Sequence, residues 1–359
     1  ANWISSIKDK GSELSKKYVE YVAQAGVEPS DPGRPVRFTS RAFADESPKS
    51  AEELLAMSRE ELVQFLGDFE DPEDFFEPGI EGLVKALKKA VKSAPDQFYE
   101  HLTQFNHLDA AYLYTLIEAY AELWAEEKVL PWDDIWPRLL GFCECLVSDR
   151  QFWSAENAEG RRKFVANRHW IVGGIGRLIE NASKSDDHAL PSSLHPVALR
   201  ILDIIFANQE GEEFSEDSDA VFVAINSPRG HCIRALINLT LRAARLADKE
   251  HGSHAEVWEE SEPRFQDQLF HIRHAEYEFI TLMANYLANF IYLAPDWLFS
   301  NLNRIFCDKN YLHWLCAMKG YSFANIVHPR VFEYLKNNGH FLRALDDAHL
   351  KEQTKDKFV

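Results

Sequence analysis

Apolar residues recur at intervals of three and four along almost the whole chain, the spacing that gathers them on one face of an α-helix. Trp3, Ile7, Leu14, Tyr18 and Tyr21 predict an amphipathic opening helix. Pro29, Pro32, Gly33, Pro35 and Pro48 then break the pattern, so 27–50 reads as a loop. Ser50 with Glu53, and Ser58 with Glu61, predict helix starts in which a hydroxyl and a carboxylate satisfy the orphan backbone amides. Further helices are predicted over 80–93, 96–105, 110–127, 132–147, 158–183, 194–208, 229–250, 263–294, 296–306, 311–318 and 329–337, and from 340 to the end. Only Ala220-Val221-Phe222-Val223-Ala224-Ile225 reads as strand-like. One strand cannot make a sheet. The predicted class is all-α, either a tetratricopeptide- or HEAT-like solenoid or stacked helix pairs.

The pattern also repeats. Ala94-Pro95-Asp96 follows an apolar helix and leads into Phe98, Leu102 and Phe105, and then Tyr112, Leu113 and Leu116. Ala294-Pro295-Asp296 is set in the same way before Leu298, Leu302 and Ile305, and then Tyr311, Leu312 and Leu315. Proline with an acid in the first turn is ordinary helix-start chemistry, but the register continues through three helices. Degenerate helical repeats, each burying its apolar face on its neighbours, account for it. Two acidic clusters, 68–77 and 210–219, interrupt the walk, and neither has the spacing of a calcium loop. The expected organisation is an N-terminal helix and loop over 1–50, a helical lobe over 51–209, an acidic linker over 210–219 and a second lobe over 220–359.

Composition narrows the function. Of 359 residues 46% are hydrophobic and 27% charged, which suits a folded globular chain. The net charge of −18 supplies no global positive field, so nucleic acid is a disfavoured partner. No apolar run approaches the roughly 20 residues of a membrane helix, and residues 1–5 show no secretory pattern. Five scattered cysteines, Cys143, Cys145, Cys232, Cys307 and Cys316, suit a reducing compartment, and the expected location is cytoplasmic.

Chemical motifs are sparse. There is no phosphate-binding Gly-x-x-x-x-Gly-Lys run, and Gly173-Gly174-Ile175-Gly176 lies inside a helical pattern, where it predicts close helix approach. No Gly-x-Ser-x-Gly elbow occurs. His271, His274 and Glu278 are the best available metal or hydrolase candidates, but they lack the His-Glu-x-x-His spacing. Neither a cofactor nor a metal is expected. Lys85, Lys88, Lys89 and Lys92 form a basic stripe, read either as the solvated side of an amphipathic helix or as a docking face for an acidic partner. In Asn226-Ser227-Pro228-Arg229-Gly230, Asn226 or Ser227 caps a helix, Pro228 fits its first turn and Gly230 permits close packing. The same turn, with Arg229, could hold an anion or pair with a nearby acid.

Four segments in order carry a family likeness: Ser47-Pro48-Lys49-Ser50-Ala51-Glu52-Glu53-Leu54; Gly82-Leu83 with Ala94-Pro95-Asp96-Gln97-Phe98; Leu130-Pro131-Trp132-Asp133; and Ile225-Asn226-Ser227-Pro228-Arg229-Gly230. This series resembles the C-terminal helical-repeat region of large bacterial antiphage proteins, the STAND-type ATPases of AVAST systems and related sirtuin-like fusions. The resemblance implies a sensor that recognises a phage protein by shape while separate ATPase and effector parts act. This chain lacks those parts, so the expectation is a non-enzymatic recognition or scaffold piece of a longer polypeptide. Its partner is then a protein or neighbouring domains, with any exposed member of Trp124, Trp132, Trp153, Trp297 and Trp314 as a candidate anchor and most of these tryptophans read as core. The alternative is an all-α metal-dependent hydrolase built on His271, His274 and Glu278.

Overall fold

The computed structural model describes residues 11–25, 46–72, 77–154, 165–272 and 276–358. Among them there are twenty α-helices and no strand. The first group is α1 (Ser12–Ala25), α2 (Ala51–Ala56), α3 (Arg59–Asp68), α4 (Ile80–Ser93), α5 (Asp96–Tyr99), α6 (Ala110–Ala125), α7 (Trp132–Ser148) and α8 (Arg150–Ser154). The middle group is α9 (Arg168–Asn181), α10 (His195–Asn208), α11 (Ala220–Asn226), α12 (Pro228–His251) and α13 (Ala255–Phe270). The last is α14 (Glu278–Asn285), α15 (Leu287–Leu293), α16 (Pro295–Ile305), α17 (Tyr311–Tyr321), α18 (Pro329–Asn337), α19 (His340–Asp346) and α20 (Glu352–Lys355). Among the described residues no helix is long and apolar enough to cross a membrane.

The helices stack in sequence. α2 packs on α4, α4 on α6, α6 on α9, α9 on α12, α12 on α14 and α14 on α17. Around this row α7 pairs with α10, α10 reaches α12, and α16 lies against α14 and α15. One apolar core runs through all of it, from Leu54 through Tyr120, Ile175 and Leu236 to Trp314. Each helix thus buries its apolar stripe on its neighbours in the chain, as stacked helical repeats do. The two Ala-Pro-Asp segments both end a helix and open the next, and Ala94 (φ −141°, ψ 62°) and Ala294 (φ −161°, ψ 80°) both leave the helical region before proline. The surroundings differ: α4 runs directly into Ala94 and packs on α6, whereas α15 runs into Ala294 and packs on α16, and it is α14, one helix earlier, that packs on α17.

The junction of α9 with α12 is extensive and close, and glycine sets it. A Cβ on Gly176 would stand 2.8 Å from the Cys232 amide nitrogen and 2.8 Å from the His231 carbonyl carbon. The glycine run is therefore a helix-packing surface, as its helical setting predicts. Both capping boxes also form, Ser50 with Glu53 and Ser58 with Glu61.

Three expectations need correction. The run 220–225 is helical: Asp219 caps α11 by accepting from the Phe222 amide at 3.2 Å, and Ala220 and Ala224, four apart, face the core. A short apolar run fits a strand and a buried helix equally well, and the cap decides. The helix expected over 263–294 is not continuous. α13 ends at Phe270 with Pro263 inside it, and Tyr286 separates α14 from α15. The helix from 340 ends at Asp346, and α20 comes after it as a separate element.

The acidic segment 210–219 is held in place by the helices on either side. Phe214 is buried against Tyr277, the Glu212 amide donates to Glu278 Oε1 at 2.7 Å, and Lys319 Nζ donates to the carbonyls of Glu216 and Ser218. The predicted loop over 27–50 lies outside the described residues up to 45, as do Trp3, Ile7 and part of the 68–77 cluster.

Candidate binding cleft

Where α6, α9 and the α11–α12 turn meet, a cleft of about 610 Å³ opens. Its walls are helical stripes. Trp170, Gly173 and Arg177 are spaced by three and four residues on α9, Tyr114 and Glu118 are four apart on α6, and His231 sits one turn into α12 after Pro228. Gly173 keeps the floor low: a Cβ there would touch Arg177, His231 and Pro228 at 3.5–3.6 Å.

The polar groups have unequal partners. Tyr114 Oη donates to Glu118 Oε1 at 2.7 Å and accepts from Arg177 Nη2 at 3.2 Å. Glu118 Oε2 accepts from Lys88 Nζ at 2.8 Å, a lysine it shares with Glu122. Arg177 itself has no carboxylate at ion-pair distance among the described residues; the Tyr114 hydroxyl is its hydrogen-bond partner. His231 is only 8% exposed, and its Nδ1 has no hydrogen-bond partner. Burial, and after it the charges of Arg177, Arg234 and Lys184, push its pKa down to about 4, so the ring is neutral at pH 7. His169, beside them, is also held below the usual range by burial and Arg168. The aromatic side is open: Trp170 is 52% exposed and meets Tyr114 edge-on at 5.5 Å.

A fixed cation, a neutral imidazole and an exposed indole suit recognition of a polar, partly aromatic group. The lining contains neither serine nor cysteine, and burial pushes the Tyr114 phenol well above its ordinary range. A larger cleft of about 720 Å³ lies between the α12–α13 turn and the start of α16. Its imidazole is fully engaged: His254 Nδ1 lies 2.8 Å from Asp248 Oδ1, and Nε2 lies 3.1 Å from the Tyr292 carbonyl. Of these two clefts, the α9 cleft is the one whose lining includes a buried polar atom without a hydrogen-bond partner, His231 Nδ1.

The residues singled out in the sequence fall at two separate places. Lys88 and Lys92 are bound to Glu118, Glu122 and Glu126 of α6 and its C-terminus, and Lys89 pairs with Glu52 at 3.0 Å. Burial pulls the Lys88 pKa down, but the hydrogen bonds it donates to the Glu118 and Glu122 carboxylates outweigh that and hold it above its usual value. Lys85 is exposed on the same helix. The stripe is therefore largely an internal ion-pair ladder. At the other place, Ser227 Oγ accepts the Gly230 amide at 2.9 Å and caps α12, and a Cβ on Gly230 would fall 1.7 Å from the Ala224 carbonyl oxygen. Asn226 is exposed at the cleft and donates to the Phe222 carbonyl at 2.8 Å. Arg229 faces inward, donating to the Gln209 carbonyl at 2.8 Å and to Gln268 Oε1 at 2.6 Å. It is a structural strut whose partners are carbonyl and amide oxygens, where a nearby acid was the expected one.

Of the tryptophans named from the sequence, Trp124 and Trp314 are buried, Trp132, Trp153 and Trp297 are half-buried, and none is exposed; among the described residues the exposed tryptophan is Trp170, which was not named. Of the metal candidates, His271 is exposed beside Asp267, Glu278 is buried beneath Glu212, and His274 lies outside the described residues. Among the described residues no three His, Cys, Asp or Glu side chains are grouped so as to hold a metal ion.

No protein-family profile matches the chain, no curated protein matches it, and no solved structure matches it.

Proposed function

We propose that this chain is a non-enzymatic protein-recognition module and that the α9 cleft is its contact point. The observation that carries this reading is Arg177 with no carboxylate partner beside the exposed Trp170. Tryptophan, tyrosine and arginine dominate the few residues that supply most binding energy at protein interfaces, and all three meet here. Phe222, one helical turn before the lining residue Asn226, is 64% exposed. The stacked row of helices supports the reading too, since such arrays offer extended surfaces for distributed contacts.

The resemblance to antiphage sensors supplies the setting: a bacterial defence protein whose target is a phage protein. The test is capture by the tagged chain from bacterial lysate, with and without infection, read by mass spectrometry. A single phage protein retained stoichiometrically, and lost from Trp170→Ala, is the expected result. Equal retention by wild type and Trp170→Ala would remove the cleft from the function.

A further inference from the structure

We infer that the α9 cleft accepts one carboxylate from a partner polypeptide, an Asp or Glu side chain with an aromatic residue next to it. This rests on the recognition reading and specifies its chemistry. Arg177 makes the choice: it is a cation with no carboxylate at ion-pair distance among the described residues, whereas Glu118 already accepts from Tyr114 Oη and Lys88 Nζ. Its guanidinium presents donors in a planar fork suited to two carboxylate oxygens. The lining also carries Glu118 and Glu212, which repel a phosphate with close to two charges more than a carboxylate with one.

The neighbouring groups fit the same occupant. The His231 ring lines the cleft, is more than nine-tenths buried, and its Nδ1 makes no hydrogen bond. That Nδ1 is sealed from solvent, so the ring's donor to an occupant is its other nitrogen, Nε2, which a neutral imidazole can carry protonated. Asn226 uses its amide nitrogen on Phe222. The exposed face of Trp170 then provides the apolar ground for an adjacent aromatic residue.

The experiment uses the full chain with ¹⁵N-labelled tryptophan, the Trp170 indole signal being the one missing from Trp170→Phe. Three probes are titrated: acetyl-Glu-Trp-amide, acetyl-Gln-Trp-amide and acetyl-phosphoserine-Trp-amide. The expected result is a Trp170 shift with the glutamate probe, at least about tenfold weaker binding of the glutamine probe, and no gain with phosphoserine. In Arg177→Met the glutamate and glutamine probes should become equally weak while the buried indole signals stay in place. Equal affinity of the glutamate and glutamine probes for wild type, a stronger phosphoserine probe, or no Trp170 shift at about 10 mM of any probe would each overturn the inference. A partner captured through Trp170 but indifferent to Arg177→Met would leave the recognition reading standing and remove the carboxylate.

Discussion

Two polar stripes cross neighbouring helices, and they have been resolved in opposite ways. On α4 and α6, Lys88 and Lys92 meet Glu118, Glu122 and Glu126, and every one of these charges has a partner within the chain. On α9 and α12, Arg177 meets only a hydroxyl, and His231 Nδ1 meets nothing. The first stripe is the more conspicuous in the sequence, with four lysines on one helix. The second has a single arginine and scattered histidines. The number of charges on a helix face says little about its availability; what the adjacent helix presents decides it.

The contrast rests on the close α9–α12 junction, so breaking that junction should give the largest effect. Gly176→Val forces a side chain against the Cys232 and His231 backbone and is expected to destabilise the fold by about 3 kcal/mol or more. Gly141→Ala, in open space on α7, should instead be neutral or stabilising by about 0.5–1 kcal/mol. Urea unfolding of the pair measures both; equal losses would mean that close approach is not what Gly176 provides.

Acid should weaken the same region next. His231 and His195 both have pKa values pushed down to about 4, in each case chiefly by burial. Arg242 Nη1 donates to His195 Nε2 at 2.6 Å, which requires that ring to be neutral. The unfolded chain takes up these protons near pH 6.5 while the folded chain resists until about pH 4. Their contribution is thus complete above pH 6.5 and is lost as pH falls from there to about 4, on the order of 2 kcal/mol each. His231→Gln should flatten this part of the stability–pH curve, and an unchanged curve would count against a buried neutral ring.

The paired stripe should respond least. Lys88→Met removes a partly exposed ion pair and should cost under about 1 kcal/mol. Arg177→Met, with no acid to strand, should change stability by less than about 0.5 kcal/mol. Thermal melts of the two variants at low and high salt sharpen the contrast, since only the lysine change should be salt-sensitive.

Much of this fold was legible in the sequence because helix signals are local. The two capping boxes, Pro228 in the first turn of α12, and the matching breaks at Pro95 and Pro295 all lie within a few residues of what they control. The glycine run on α9 also announced a close neighbour, though not which helix it was. The strand-like reading of 220–225 went astray because Val, Phe and Ile cluster there, and the Asp219 cap outweighs that signal. The cleft was not legible. Trp170, Gly173 and Arg177 share a stripe that the sequence does contain, but its value depends on Tyr114, some sixty residues earlier, and His231, some fifty residues later. Arg229, read in the sequence as holding an anion or pairing with a nearby acid, instead donates to the Gln209 carbonyl and Gln268 Oε1, neutral oxygens that no local signal marks.

The most direct test of the account sets the two stripes against each other in a single capture experiment. The partner retained from infected lysate is quantified on wild type, Arg177→Met and Lys88→Met, each first shown to be folded by circular dichroism. The account expects retention to be lost with Arg177→Met and kept with Lys88→Met. Retention that survives Arg177→Met and is lost with Lys88→Met would contradict it, placing recognition on the lysine stripe that the fold has paired.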